Sequence, residues 1–156
     1  MLGNRCLVPL MSTKNSLQEM HILANSIRRT YNRLRHTTDQ IHADTNLSAP
    51  KRTLMMDLDR EGPKTVPLLA GARYVSRQII QTQVNELVDA GLVKAKVNPE
   101  HKRSSLITLT GKGTKLVKEM AAREDAFIQK LGWLPDAKAL RTCIEVLDSI
   151  DAKLEE

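Results

Sequence analysis

From residue 17 to residue 42, apolar side chains recur at Leu17, Met20, Leu23, Ile27, Tyr31, Leu34 and Ile41, at spacings of three, four or their sum. That period places them on one face of an amphipathic helix. At about 1.5 Å per residue the helix is roughly 39 Å long, more than twice the radius of gyration of about 15 Å expected for a compact domain of this size. A compact monomer leaves much of the stripe in water, so a partner surface is expected. A second stripe, Leu140, Ile144, Leu147, Ile150 and Leu154, follows the breaker Gly132-Trp133-Leu134-Pro135. Asp136 stands where it can accept from the first amides of that helix. Both ends of the chain read as dimerisation material.

Shorter elements lie between them. Ser48 and Pro50 mark a helix start, Leu54, Met55 and Leu58 its inward face, and Gly62-Pro63 its stop. Thr65 caps a short helix through Ala72 that tolerates Pro67, because first-turn amides have no intrahelical acceptor. Ser76 caps a third helix with a buried stripe of Ile80, Val84, Leu87 and Val88, ended by Asp89-Ala90-Gly91, where Gly91 takes a left-handed conformation at little cost. This is helix-turn-helix spacing. Residues 93–97 then alternate apolar and basic, residues 98–101 are turn material and residues 105–109 are rich in β-branched residues, which predicts a hairpin with a polar tip. Residues 110–130 return to helix, with Leu116, Val117, Met120, Phe127 and Ile128 inward.

Charge selects among the uses of such an arrangement. The chain carries 24 Lys and Arg against 18 Asp and Glu, a net +6, and only four aromatic residues, Tyr31, Tyr74, Phe127 and Trp133. Four rings are too few for the stacking platforms that hold single strands or RNA. The basic excess concentrates in residues 71–115, a net +5, whereas residues 116–156 are net −3. One part of the chain is therefore suited to a polyanion. No apolar run reaches the roughly 18 residues needed to span a bilayer, and residues 1–10 lack the makings of a secretory signal. A cytoplasmic protein with no membrane partner is expected. Cys6 and Cys143 read as unpaired thiols, Cys143 as a small core residue, with a redox role for Cys6 as a minor alternative. Residues 1–10 belong to no definable element, which leaves Met1 and Met11 open as starts.

Helix, helix and basic hairpin in that order make a winged helix, whose second helix enters the major groove while the hairpin reaches an adjacent minor groove. Off the buried stripe, Arg77, Gln78, Gln81, Thr82 and Asn85 share one face of the second helix. All can hydrogen-bond to base edges and none is acidic; Ile79 borders this face and can meet a thymine methyl. Ser76 and its neighbouring amides suit a phosphate, and Lys102 and Arg103 sit at the hairpin tip. Taken singly, each of these is ordinary solvated surface; their order is what points to duplex DNA.

Residues 47–113 resemble the winged-helix core of the MarR (multiple antibiotic resistance regulator) family. The resemblance rests on residues 62–70 for the first helix, on Val75-Ser76 through Gly91-Leu92-Val93 for the recognition helix, and on residues 98–103 followed by residues 106–113 for the wing, with Gly91-Leu92-Val93 and the ending Leu109-Thr110-x-x-Gly113 the most specific. The long flanking helices match the family's dimerisation elements. The fold implied is mainly α (α+β), a winged helix-turn-helix DNA-binding core flanked by long N- and C-terminal dimerisation helices. The expected layout is an extension at 1–15, a dimerisation helix at 16–46, the DNA-binding region at 47–113 and C-terminal dimerisation helices at 114–156, in one intertwined domain. The family usually carries an acidic residue just before the wing's basic pair, and His101 holds that place here.

The resemblance implies a homodimeric repressor on a near-palindromic double-stranded operator, released by a small-molecule effector that prefers a dimer with the wrong spacing of recognition helices. Tyr31, Arg35 and Met55 are the candidate lining of the effector pocket. A protein-interaction or nonspecific architectural module is the alternative. No metal or other cofactor is expected: His21, His36, His42 and His101 have no ligand-like spacing. Gly111-Lys112-Gly113-Thr114 lacks the full phosphate-loop pattern, and no nucleophile, base and orienter come together, so the chain is not read as an enzyme.

Overall fold

The computed structural model describes residues 11–99 and 103–154. Lys102, His101, Cys6 and residues 1–10 lie outside the described residues. The elements run α1 (Met11–Ile41), a 3-10 turn (Ala43–Thr45), α2 (Ala49–Glu61), β1 (Lys64–Thr65), α3 (Val66–Gly71), α4 (Arg77–Asp89), β2 (Val93–Lys96), β3 (Leu106–Leu109), α5 (Gly111–Lys130) and α6 (Ala137–Leu154). The chain forms two compact units, Met1–Lys118 and Glu119–Glu156.

In the first unit, α2 packs on α4 and β3, and α3 packs on α4. Leu54, Met55 and Leu58 of α2, Leu69 of α3, Ile80, Val84 and Leu87 of α4, and Val93 and Ile107 of the sheet are buried. Each such side chain contributes about 1.5–3 kcal/mol when fully removed from water. The local signals for the helix boundaries hold. Gly62 after α2 has φ 78°, and the Thr65 hydroxyl accepts from the Leu68 amide at 3.4 Å. Ser76 accepts from the Ile79 amide at 3.3 Å. At the other end of α4, the Gly91 amide donates to Val88 and the Leu92 amide to Leu87, at 2.8 and 2.9 Å, around a left-handed Gly91 (φ 69°).

The sheet has the order β1-β3-β2, all antiparallel. Val93 opposes Leu109 and Lys96 opposes Leu106. The two-residue β1, paired with Leu106 and Ile107, was not expected from sequence.

The root of the hairpin is locked to the end of α4. The Thr110 hydroxyl donates to the Gly91 carbonyl at 2.7 Å and accepts from the Gly113 amide at 3.1 Å, while the Thr110 amide donates to the Leu92 carbonyl at 3.0 Å. Gly113 sits so close that a Cβ there would lie 2.0 Å from the Leu92 carbonyl oxygen, inside any permitted contact. The paired motifs Gly91-Leu92-Val93 and Leu109-Thr110-x-x-Gly113 are thus two halves of one joint.

The other stripes behave differently. On α1, Leu17, Met20, Ile27, Tyr31 and Leu34 are exposed. In the second unit α6 buries no residue, although Asp136 caps it, accepting from the Lys138 and Ala139 amides at 2.8 and 3.1 Å. Ile128, expected to face inward, is exposed, and so is Cys143, expected in a core. Both lie on apolar faces that the single chain leaves uncovered. Among the described residues no helix is long and apolar enough to cross a membrane.

Candidate nucleic-acid interface

The turn that aims α4 closes through backbone bonds from Arg73 and Val75 to the Ala70 carbonyl at 3.3 and 3.2 Å, with Tyr74 in the left-handed region at φ 51°. Arg73 clamps this turn to α2: its Nε and Nη2 donate to Asp57 Oδ2 at 3.1 and 2.7 Å, and its Nη1 donates to the Pro50 carbonyl at 3.2 Å. Lys51 pairs with Glu86 at 2.7 Å, a second tie from α2 to α4. Sequence counting placed Arg73 in the basic footprint; Asp57, far away in sequence, neutralises it. Lys112 likewise donates to the Ala90 carbonyl, at 2.9 Å.

With α4 fixed, its polar face opens onto a groove of about 580 Å³ between that helix, the start of α3 and the wing. Arg77, Gln78, Gln81 and Asn85 line one wall, and Arg103, Ser104 and Ser105 the other, over a floor that includes Val66, Val84 and Ile107. The fold therefore brings five predicted residues, Arg77, Gln78, Gln81, Asn85 and Arg103, to one groove. Ser76 caps the helix that carries the first four. Thr82 is exposed but outside the groove lining, and its hydroxyl donates back to the Gln78 carbonyl at 3.0 Å. Val88, expected to be buried, is 43% exposed and lines the groove, because it sits at the margin of the apolar stripe on the wing side. Ile79 is exposed, as a methyl-reading residue must be. Ser104 and Ser105 were missed; their position next to Arg103 was the available signal.

The residues suggested for an effector pocket are not gathered together. Met55 has no exposed surface and belongs to the core, whereas Tyr31 is 62% exposed on α1. Arg35 does line a recess of about 360 Å³ at the end of α1, together with Asp39, His42, Asn46, Ser48 and Arg52. Arg52 is buried there, bonded to the Asp39 carboxylate and donating to the Leu47 carbonyl at 2.6 Å. Its hydrogen bond holds the Asp39 carboxyl below the ordinary 3.8, with added attraction from Arg52 itself, Arg35 and His36, against a desolvation effect that acts the other way. Among the described residues no group of three or more His, Cys, Asp or Glu is placed to hold a metal ion.

No family model matches the chain. An uncharacterized protein of Mycobacterium tuberculosis is 34% identical over 77 residues, 49% of this chain and 54% of that protein, so the chain spans about half the length of that relative. The uncharacterized HTH-type transcriptional regulator YpoP of Bacillus subtilis is 26% identical over 137 residues, 87% of this chain and 96% of YpoP. Among solved structures, a MarR family transcriptional regulator from Silicibacter pomeroyi superposes with a TM-score of 0.77 at 29% identity, covering 86% of this chain and 91% of that one. The chain has the MarR-type winged-helix fold. A mutant MarR from E. coli, solved in complex with operator DNA, shares it with a TM-score of 0.70 at 18% identity, over 85% of this chain and 95% of that one. Within the MarR-type frame, α3 and α4 are the helix-turn-helix and the β2–β3 hairpin is the wing, with the groove between them.

Proposed function

We propose that this chain is a sequence-specific regulator of transcription that binds double-stranded DNA, with α4 in the major groove and the wing along the adjacent minor groove. The observation that carries this reading is the groove itself: carboxamides on one wall, Arg103 on the other and Arg77 at the head of the helix, with no carboxylate among the described residues of its lining. Carboxamides and guanidinium groups make the bidentate contacts that distinguish bases, and arginines next to them neutralise phosphates. Ser76, Gln78 and Thr82 complete the α4 contacts, and Lys102 joins Arg103 on the wing.

The acting species is a homodimer on a near-palindromic operator. The exposed apolar faces of α1 and of α6, each considered within its own unit, support this, since contiguous apolar surface of that extent marks an interaction site. The layout of an N-terminal dimerisation helix, a DNA-binding region over 47–113 and C-terminal dimerisation helices belongs to the same proposal. The output is repression, relieved by a small molecule; the recess that contains Arg35 and Arg52 is the candidate effector site.

A gel-shift titration against the protein's own upstream region and a scrambled duplex tests the core of the proposal. Preference for the upstream region by about a thousandfold or more is expected of a specific binder. Equal affinity for both duplexes would replace the regulator with an architectural or protein-interaction module. Arg103→Ala is expected to weaken binding to every sequence and to lower the salt slope by about one.

A further inference from the structure

Of the three carboxamides on the groove wall of α4, Gln78, Gln81 and Asn85, the last two are not independent. Gln81 Nε2 donates to Asn85 Oδ1 at 2.8 Å, one helical turn apart, and both side chains stand in the lining of the groove with Arg77 and Arg103. Thr82, between them in sequence, spends its hydroxyl hydrogen on the Gln78 carbonyl. The base-facing donors of this stretch of helix are therefore amide hydrogens.

A solitary asparagine amide on a helix surface rotates about its broad, nearly two-fold terminal torsion and presents oxygen or nitrogen to an incoming base with similar ease. The bond with Gln81 restricts that rotation and couples the two amides. It holds Oδ1 on the Gln81 side and turns Nδ2 away from it. An amide oxygen has two lone pairs, so Oδ1 retains one to accept from a base amino group while Nδ2 donates to a ring nitrogen. One acceptor and one donor along a single edge complement adenine, which offers the N6 amino group beside N7 in the major groove. Guanine offers two acceptors there, cytosine an amino donor, and thymine an acceptor beside a methyl group; none of the three satisfies both halves of the Asn85 edge.

We infer that Asn85 reads an adenine and that Gln81 is a positioning residue acting through it, an assignment that rests on α4 being the helix that enters the major groove. The sequence alone ranks the two as equal, separate readers; the 2.8 Å bond orders them.

Selection from a randomised duplex library, with the full chain and the variants Asn85→Ala, Gln81→Ala, Gln81→Glu and the Gln81→Ala/Asn85→Ala double, tests this. The wild type is expected to enrich an adenine whose preference falls about tenfold to a hundredfold in Asn85→Ala. Gln81→Ala should lower preference at that same adenine rather than at another base pair, and have no further effect on it once Asn85 is gone. Gln81→Glu replaces the donor with an acceptor that can draw in Asn85 Nδ2. The amide then turns over, so that Oδ1 and the remaining Nδ2 hydrogen exchange places along the edge, and preference for the adenine at that position should fall. Loss of preference at a different base pair in Gln81→Ala, or strictly additive losses in the double variant, would overturn the coupling and leave the regulator reading intact. A wild type that enriches no sequence would overturn both.

Discussion

Helices α2 and α6 are both amphipathic, yet the thirteen-residue α2 buries Arg52, Leu54, Met55 and Leu58, whereas the eighteen-residue α6 buries nothing. The period of apolar residues is visible in both sequences and is the clearer in α6. What separates them is the source of the covering surface: α2 finds α4 and β3 in its own unit, and the α6 stripe stays wet in the single chain. A short helix with cross-ties can therefore be the firmer element, and a longer one with a better stripe can depend on something outside its own unit.

The largest effect expected on this contrast is in α2. Leu54→Ala removes a side chain with no exposed surface and should cost about 2–5 kcal/mol, read as a fall in the denaturation midpoint. A cost below 1 kcal/mol would mean that α2 is less fixed than its burial indicates. Next is Gly113→Ala, which pushes a methyl group into the Leu92 carbonyl and should destabilise by about 1–3 kcal/mol in a chemical-denaturation series.

A smaller effect is expected at the tie between α1 and α2. Because the folded Asp39 pKa lies below 3.8, its stabilising contribution is complete above that value and is lost as the pH falls through the lower, folded value. Thermal melts of wild type and Asp39→Asn should therefore differ at neutral pH and converge in strong acid; a constant gap would place the effect elsewhere. The smallest expected change at low concentration is Ile144→Ala in α6, within about 0.5 kcal/mol. If two copies cover this helix, the loss in melting temperature grows with protein concentration. A large loss independent of concentration would show that one chain covers α6 by itself and would erase the comparison.

These differences also explain what was legible beforehand. Caps and stops at Thr65, Ser76, Gly62 and Gly91 act on backbone groups a few residues away, so a linear reading captures them. The pairing of β1 with β3 joins residues more than forty positions apart, and two residues leave no periodic trace. The bond between Arg73 and Asp57 likewise exists only after α2 and the turn have met, so charge counting overstates the free basic surface. For the candidate site, the polar face of α4 and Arg103 were readable from spacing and charge. The floor of the groove, the wing-side exposure of Val88 and the core position of Met55 depend on which neighbour covers each helix margin.

The joint around Thr110 works as a ruler. With the end of α4 and the root of the wing bonded to the same threonine, the separation of that helix end from the wing root is set within each chain. On the dimeric, DNA-binding reading proposed above, two copies on one duplex then accommodate each other only through the span between their α4 helices. An inserted base pair should be tolerated, if anywhere, at the centre of an operator and never inside a half-site.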